Sequence, residues 1–380
     1  MSAPVAEVLR TVLDADALSE MVGRPVRAVR LRVKPEVSLL MALAERDSGR
    51  TAGWAQVLWP VSASKAAKLR LRAERYGEQV LTRTLPDGLI LQAGPELADP
   101  KLVDHLGRAR ERGLLAGVAP EAVLRYNPAR RLVLRTADGV LRVRTGGGRR
   151  IEHIHRAVGT LVPVPRLIDL GGSWDPEHYS LQELCGSSDL EQSPSQEDTR
   201  RAGALLARLH ASTSALPDDV RAGLASAPVA AEALVRVHAQ VLEPLAPALA
   251  RRTRALVAVL PTRIEGAPVL LHGDASPDQF LTDPASRSLW LTDFDRARLA
   301  PAAVDLGSYL AVCPPEAGTA LLEGYRQEAG RVPDRQPLRA ATALAELSRL
   351  TEPLRHADPA WADAVGTRLS RLADTGGQLA

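Results

Sequence analysis

One stretch of the chain decides the fold: Leu271-His272-Gly273-Asp274-Ala275-Ser276-Pro277-Asp278-Gln279-Phe280-Leu281, followed by Leu291-Thr292-Asp293-Phe294-Asp295. The apolar runs 269–271 and 290–291 predict two short buried strands around a turn at 283–286. A hairpin of this kind brings the carboxylates of Asp274 and Asp293 close to the amide of Gln279. In such a cluster one carboxylate can accept a proton from a hydroxyl. The other carboxylate and the amide oxygen can hold Mg²⁺ against the phosphates of a nucleotide.

The composition is typical of a globular protein of two or three domains and excludes several other classes. Of 380 residues, 45% are hydrophobic and 24% are charged, with a net charge of +3. Aromatic residues make up only 3%, so we expect no nucleic-acid partner. No apolar run approaches the ~20 residues that span a bilayer, and the first residues lack a signal pattern. Two cysteines give no disulfide framework, so we expect a cytoplasmic protein with no membrane partner.

The order and spacing of the motifs resemble a known family of enzymes. His272-Gly273-Asp274, Gln279 and Asp293-Phe294-Asp295 are similar to the catalytic loop and metal motif of the aminoglycoside phosphotransferase/choline kinase-like family. The resemblance implies an α+β, bilobal protein-kinase-like fold with a small β-rich N-lobe and a mostly helical C-lobe. It also implies transfer of the ATP γ-phosphate to a hydroxyl of a small molecule, with ATP and Mg²⁺ as cofactors.

The resemblance assigns roles to three residues of the motif. Asp274 is implied to be the catalytic base, and Gln279 and Asp293 are implied to be metal ligands. Most of the family has Asn at the position of Gln279. The maltokinase-like branch, which phosphorylates sugars, has Gln there and carries an additional N-terminal domain. The acceptor is therefore expected to be a sugar or related polyol.

The nucleotide-binding residues of the N-lobe depart from the kinase pattern. Kinases contact the α- and β-phosphates with a lysine on a central strand, and the matching strand Val140–Arg144 has none. Arg142 stands at the lysine's position, and Arg144 is the alternative; arginine can bind phosphate bidentately. Glu152, early in the next helix, is the implied ion-pair partner. The triple glycine at 146–148 follows this strand and favours a flexible turn over a phosphate-binding loop.

The last strand of the N-lobe is predicted at Tyr179–Leu184, leading into Cys185-Gly186. By resemblance this segment is the hinge between the lobes, where backbone groups meet the adenine. Glu183, within it, is included among the nucleotide-binding residues. Three further side chains are expected to have structural roles, with Asp305 capping the following helix: His210, His272 and Asp305.

The chain is divided into three parts. Residues 1–115 form an extra N-terminal α/β cap region, residues 116–186 the N-lobe, and residues 187–380 the C-lobe with the catalytic and metal loops. Residues 29–40 and 123–134 both read as strand, proline turn, strand. This similarity indicates either two ordinary hairpins or a duplicated N-lobe-like hairpin in the cap region.

Two alternatives to a sugar kinase remain open at this stage, and the oligomeric state is undetermined. An aminoglycoside kinase would need acids to bind a polycationic acceptor, and the polar linker 187–198 offers these candidates: Asp189, Glu191, Glu197 and Asp198. A catalytically inactive, nucleotide-binding pseudokinase would explain the missing lysine. The presence of Asp274, Gln279 and Asp293 favours an active enzyme.

Overall fold

The structure is a computed structural model that describes residues 5–119, 122–224, 230–283 and 285–377. The described chain begins with two helices, α1 (Val5–Leu13) and α2 (Ala15–Val22). The break falls at Asp14, whose carboxylate accepts hydrogen bonds from the backbone of Asp16 and Ala17. Such an N-cap satisfies the free N–H groups of a new helix.

The cap region forms a five-stranded antiparallel sheet with strand order β1-β2-β3-β5-β4. Its strands are β1 (Val26–Lys34), β2 (Ser38–Glu45), β3 (Thr51–Leu58), β4 (Leu81–Thr84) and β5 (Ile90–Gly94). Helix α3 (Ser64–Arg75) connects β3 to β4, and α4 (Val103–Glu111) follows the sheet.

The N-lobe repeats this arrangement, with strand order β6-β7-β8-β10-β9. Its strands are β6 (Val123–Asn127), β7 (Arg131–Thr136), β8 (Gly139–Arg144), β9 (Leu167–Ile168) and β10 (Tyr179–Gln182), with α5 (Gly148–Gly159) between β8 and β9. The two hairpins that look alike in sequence are the first hairpin of each sheet. The shared strand order and connecting helix favour the duplicated hairpin over two unrelated ones.

The C-lobe is mostly helical, as predicted. Its helices are α6 (Gln196–Ala211), α7 (Asp218–Gly223), α8 (Ala231–Leu242), α9 (Pro247–Ala255), α10 (Ala303–Leu310), α11 (Pro315–Ala329), α12 (Arg335–Ser348), α13 (Glu352–Arg355) and α14 (Trp361–Gly377). Its strands are β11 (Ser188–Asp189), β12 (Pro268–Leu271), β13 (Phe280–Asp283), β14 (Ser288–Leu291) and β15 (Arg298–Pro301). The bilobal α+β fold predicted from the sequence is confirmed.

The strand pairing around the motif differs from the prediction. Strand β14 pairs with β13, and β12 pairs with β15, beyond the second motif. Phe280 and Leu281, which directly follow the catalytic loop, supply the apolar partner strand that the sequence reading assigned to 269–271. Pro284, within the predicted turn, lies outside the described residues.

The central strands of the cap sheet, β2, β3 and β5, are buried on both faces. On β2 the side chains of Leu39, Met41 and Leu43 pack into a core shared with α8, α12 and α14 of the C-lobe. Leu40 and Ala42 point the other way, into a core shared with α3, α4 and the N-lobe sheet. This alternation follows from the two-residue period of a strand. The cap region is therefore packed against both lobes.

Candidate active site

The catalytic loop lies between β12 and β13 and turns sharply at Gly273. Gly273 has φ +83°, and a Cβ there would lie 2.1 Å from the carbonyl oxygen of Arg296. Both the left-handed backbone and the close approach require glycine. The turn brings Asp274 next to the segment that follows the metal motif.

Asp305 fastens this loop to the C-lobe core. Its buried carboxylate accepts hydrogen bonds from the backbone N–H groups of His272 (2.7 Å) and Gly273 (2.8 Å). Nε2 of His210 lies 3.1 Å from the same carboxylate. Burial alone would raise the pKa of Asp305, but the hydrogen bond and charge of His210 outweigh it and lower that pKa. The capping role predicted for Asp305 is wrong, because the residue lies within the first turn of α10 and its carboxylate faces the loop.

Two hydrogen bonds join the catalytic loop to the metal motif. Nε2 of the buried His272 lies 2.7 Å from the carbonyl oxygen of Thr292. The N–H of Thr292 donates to the carbonyl of Gln279 at 3.0 Å. Gln279 is buried, one register position beyond the β13–β14 pairs, and therefore lies opposite Thr292, the residue before Asp293. Asp274 and Gln279 line the same cavity, and the charges of Asp274 and Asp293 both act on Arg131. Their roles as base and metal ligands stay predictions.

Asp274 lies where two cavities meet. It lines a cavity of about 720 Å³ that reaches α12 and a second of about 580 Å³ that reaches α13. Its carboxylate contacts Arg296 at 3.2 Å and Arg349 at 3.5 Å, and 36% of its side chain is exposed. A carboxylate held by two arginines and open to both cavities can receive a proton from a bound hydroxyl.

Asp293 lies in an ion-pair network that crosses the cleft between the lobes. Its backbone is left-handed (φ 70°), and its carboxylate accepts two hydrogen bonds from the guanidinium of Arg131, at 3.0 and 2.8 Å. Arg131 also contacts Asp295 at 3.1 Å, and Arg144 contacts Asp295 at 3.4 Å. Burial opposes ionisation of Asp293, but the charge of Arg131 outweighs it and lowers the carboxyl pKa.

Sequence reasoning missed Arg131. It is the first residue of β7, after the tight turn at 128–130, where kinases carry the phosphate-binding glycine loop. The two arginines that end this turn, Arg130 and Arg131, were the available signal.

Arg142 and Arg144 both reach the cleft from β8. Arg142 is buried and donates to Oγ1 of Thr292 at 3.0 Å. Burial lowers its pKa to about 10, so it stays cationic at neutral pH. Nε of each arginine is buried without a hydrogen-bond partner among the described residues. Leu141 and Val143 face the opposite, apolar side of the strand.

The other predicted nucleotide-binding side chains do not converge on this cluster. Glu152 pairs with Arg156 on its own helix at 2.6 Å, and the expected Arg142–Glu152 ion pair is not formed in the described part of the chain. Arg142 is held by Thr292 instead. Glu183 is exposed and 3.7 Å from Arg166, just beyond the end of β10 at Gln182. The predicted contact of this segment with the adenine would be made by its backbone and stays a prediction.

The triple glycine forms a turn. The N–H of Gly147 donates to the carboxylate of Glu177, and a Cβ on Gly148 would lie 2.1 Å from the carbonyl oxygen of Pro176. This N–H therefore has a partner within the protein, which favours the turn predicted from the sequence over a phosphate-binding loop.

The fold and the site together define a protein-kinase-like phosphotransferase. The chain belongs to the phosphotransferase enzyme family, whose model matches residues 111–371. This membership confirms the enzyme class predicted from the sequence, a small-molecule kinase. Among the described residues, no helix is long and apolar enough to cross a membrane.

Several solved structures are similar to the chain. A mutant of aminoglycoside 2'-phosphotransferase-IIIa in complex with GDP is 20% identical, with a TM-score of 0.50 over 73% of this chain and 98% of that one. A choline/ethanolamine kinase family protein from Mesorhizobium loti is 18% identical (TM-score 0.47; 72% and 94% covered). A macrolide 2'-phosphotransferase from Brachybacterium faecium is 21% identical (TM-score 0.44; 70% and 98% covered). A sequence comparison with curated proteins found no match.

Proposed function

We propose that the protein transfers the γ-phosphate of ATP to a hydroxyl of a small molecule, a sugar or related polyol. The observation that carries the proposal is the position of Asp274, which borders both cavities and is held by a loop that Asp305 fastens to the core. A base at the junction of two cavities can contact an acceptor in one of them while the nucleotide approaches from the cleft.

Asp274 acts on the proton of the acceptor. As the hydroxyl oxygen bonds to the γ-phosphorus, Asp274 takes up the hydroxyl proton, and the bond from the γ-phosphorus to the bridging oxygen breaks to release ADP. General-base assistance of this kind contributes about 10²–10⁴ in rate. Arg296 and Arg349 keep the carboxylate in place for this step.

Asp293 and Gln279 are the residues proposed to hold Mg²⁺. The ion prefers oxygen ligands, which a carboxylate and an amide carbonyl provide, so the donor set fits. Both carboxylate oxygens of Asp293 are bonded to Arg131, and this guanidinium repels a second cation at the same carboxylate. When bound, Mg²⁺ neutralises charge on the phosphates.

Arg142 is proposed to contact the α- and β-phosphates in place of the usual lysine. Its buried guanidinium is fixed by Thr292, directly before Asp293, and its Nε has no partner among the described residues. A guanidinium can form bidentate hydrogen bonds to phosphate oxygens. The adenine is proposed to meet the backbone near Glu183.

The linker acids offer little to a polycationic acceptor. Asp189 accepts from the backbone of Glu191 and Gln192, Glu197 pairs with Arg200, and Asp198 pairs with Arg201. Of the four candidates, only Glu191 lines the second cavity. These contacts favour a sugar or polyol over an aminoglycoside.

The test is ADP release from ATP by the purified protein, with matched panels of neutral sugars, polyols and aminoglycosides, followed by phosphorus NMR of the product. Turnover with a sugar or polyol, lost in Asp274→Asn, supports the proposal. Turnover confined to aminoglycosides would contradict the sugar or polyol acceptor and favour an aminoglycoside kinase. Binding of ATP without turnover of any acceptor would favour the pseudokinase alternative.

A further inference from the structure

The second cavity beside Asp274 is rich in arginine. Five guanidinium groups line this space of about 580 Å³, and they come from the cap region, the N-lobe and the C-lobe: Arg30, Arg125, Arg296, Arg349 and Arg355. Arg30 lies on β1 and Arg355 ends α13. The cap region therefore contributes directly to the space next to the catalytic base.

Three of the five arginines have carboxylate partners. Arg125 contacts Asp278 at 3.3 Å, and Arg296 and Arg349 contact Asp274. These pairs neutralise charge within the cavity and position the base.

Arg30 and Arg355 form no ion pair within the described part of the chain. Both are half-buried. Burial, together with repulsion from Arg355, Arg125, Arg131 and Arg130, lowers the pKa of Arg30 to about 10. Burial also lowers the pKa of Arg355. The charges of Glu352 and Asp274 act on Arg355, but neither carboxylate forms an ion pair with it. Two half-buried cations that repel each other destabilise the protein unless an anion joins them.

We propose that Arg30 and Arg355 form a subsite for an anionic group, a phosphate or carboxylate, on the acceptor whose hydroxyl meets Asp274. This inference rests on the proposed kinase function and narrows the acceptor to an anionic sugar or polyol. Guanidinium groups bind such anions through charge-assisted, often bidentate, hydrogen bonds. A low-dielectric cavity with unpaired charge of one sign also attracts ligands of the opposite sign.

The lining of the cavity favours the acceptor over the nucleotide as the source of the anion. Among the described residues, neither Arg142 nor Asp293 lines it, and no residue of the hinge segment 183–187 does. Its apolar wall comes from the end of α10 and the start of α11, with Tyr309 and Val312. Gln279, a proposed ligand of Mg²⁺, also lines the cavity, whereas Arg142, which is proposed to contact the α- and β-phosphates, does not. The anion subsite is therefore separate from the proposed contact to the α- and β-phosphates.

The acids of the cavity are mostly engaged. Asp278 is bonded to Arg125, and Glu352 contacts Arg368 at 3.6 Å and Arg349 at 3.9 Å. Glu191 is exposed, and burial and repulsion from Asp278 raise its pKa. Arg30 and Arg355 therefore have no carboxylate partner of their own among the described residues and can bind an anionic ligand.

The first experiment measures binding of inorganic phosphate to the full chain by calorimetry at fixed ionic strength. Arg30→Ala and Arg355→Ala should each raise the Kd about tenfold or more, since hydrogen bonds between charged groups are lost. Arg30→Lys should keep part of the affinity. Arg27→Ala, an exposed arginine on the same strand, should leave it unchanged. Equal phosphate binding by the wild type and both alanine variants would overturn the inference.

The second experiment assigns the anion to its source. Turnover is compared for glucose, glucose 6-phosphate and glucuronate, together with the Kd of ATP. The inference expects an anionic acceptor to be preferred, this preference to be lost in Arg30→Ala, and the Kd of ATP to stay constant. A parallel loss of ATP affinity would assign the subsite to the nucleotide and overturn the inference. If no acceptor turns over, the kinase proposal fails. The phosphate Kd of the wild type and the Arg30→Ala variant still shows whether Arg30 binds an anion.

Discussion

Arg131 and Asp293 form a bidentate ion pair across the cleft, with N–O distances of 3.0 and 2.8 Å. Arg131 begins a strand of the N-lobe, and Asp293 belongs to the C-lobe. Both side chains are mostly buried, at 16% and 15% exposed. A cation of the protein thus lies on the carboxylate proposed to hold Mg²⁺. Guanidinium and metal ion repel each other at one carboxylate, so they compete for Asp293.

This competition predicts the behaviour of Arg131→Ala. The free energy of unfolding should fall by about 1–3 kcal/mol, because Asp293 is left mostly buried without its partner. Added Mg²⁺ should stabilise the variant more than the wild type, since no guanidinium repels the ion at Asp293. Urea unfolding with and without MgCl₂ measures both effects. Arg135→Ala, exposed on the same strand, is the control. Equal stabilisation of wild type and variant by Mg²⁺ would contradict the competition.

A second prediction concerns the base. Asp274→Asn should bind ATP as the wild type does but lose about 10²–10⁴ in turnover, because an amide cannot accept the hydroxyl proton. Steady-state kinetics and nucleotide titration measure the two properties separately. Asp283→Asn changes a half-buried carboxylate at the end of β13 and should leave both unchanged. Wild-type turnover in Asp274→Asn would remove the residue from the mechanism.

A third prediction uses the lowered pKa of Asp305. Because the folded-state pKa lies below the unfolded value, this carboxylate stabilises the protein above pH ~4, and the contribution is lost as the pH falls through the folded pKa. Asp305→Asn should therefore be destabilised most near neutral pH, and its difference from the wild type should shrink below pH ~4. Urea unfolding at several pH values tests this. A difference that does not depend on pH would mean that the charge of Asp305 plays no part in holding the loop.

The sequence was most informative where function depends on local motifs. Asp274, Gln279 and Asp293 were predicted because the loop and hairpin that carry them are short and continuous in sequence. The Arg131–Asp293 pair joins residues 162 positions apart, and only the packing of the two lobes brings them together. The predicted Arg142–Glu152 pair joins a strand to the next helix, and sequence spacing does not show which arginine Glu152 contacts. Arg156, one turn along α5, competes for Glu152.

The strand pairing shows a similar limit. Apolar runs mark strands but do not choose their partners, so the sequence reading joined 269–271 to 290–291. The alternation of β2 between two cores also needs elements from both ends of the chain. The contribution of Arg30 to the cavity beside Asp274 follows from that packing and has no local signal.

The last prediction separates the two buried arginines of β8. Arg142→Ala should raise the KM of ATP and lower kcat together, because each charge-assisted hydrogen bond contributes on the order of 1.5–3 kcal/mol, roughly tenfold or more in binding. Arg142→Lys should recover part of the activity, since an ammonium keeps the charge but not the planar fork.

Arg144→Ala is the matched control, because Arg144 lies two residues along the same strand and contacts Asp295 while Arg142 contacts Thr292. Steady-state kinetics of the three variants, with ATP varied at saturating acceptor, gives the comparison. A damaging Arg144→Ala with a silent Arg142→Ala would transfer the phosphate contact to Arg144. If both changes are silent while turnover is intact, neither arginine replaces the lysine, and another group of the cleft holds the phosphates. Arg131, which is paired with Asp293 at 2.8 Å, is then the next residue to change.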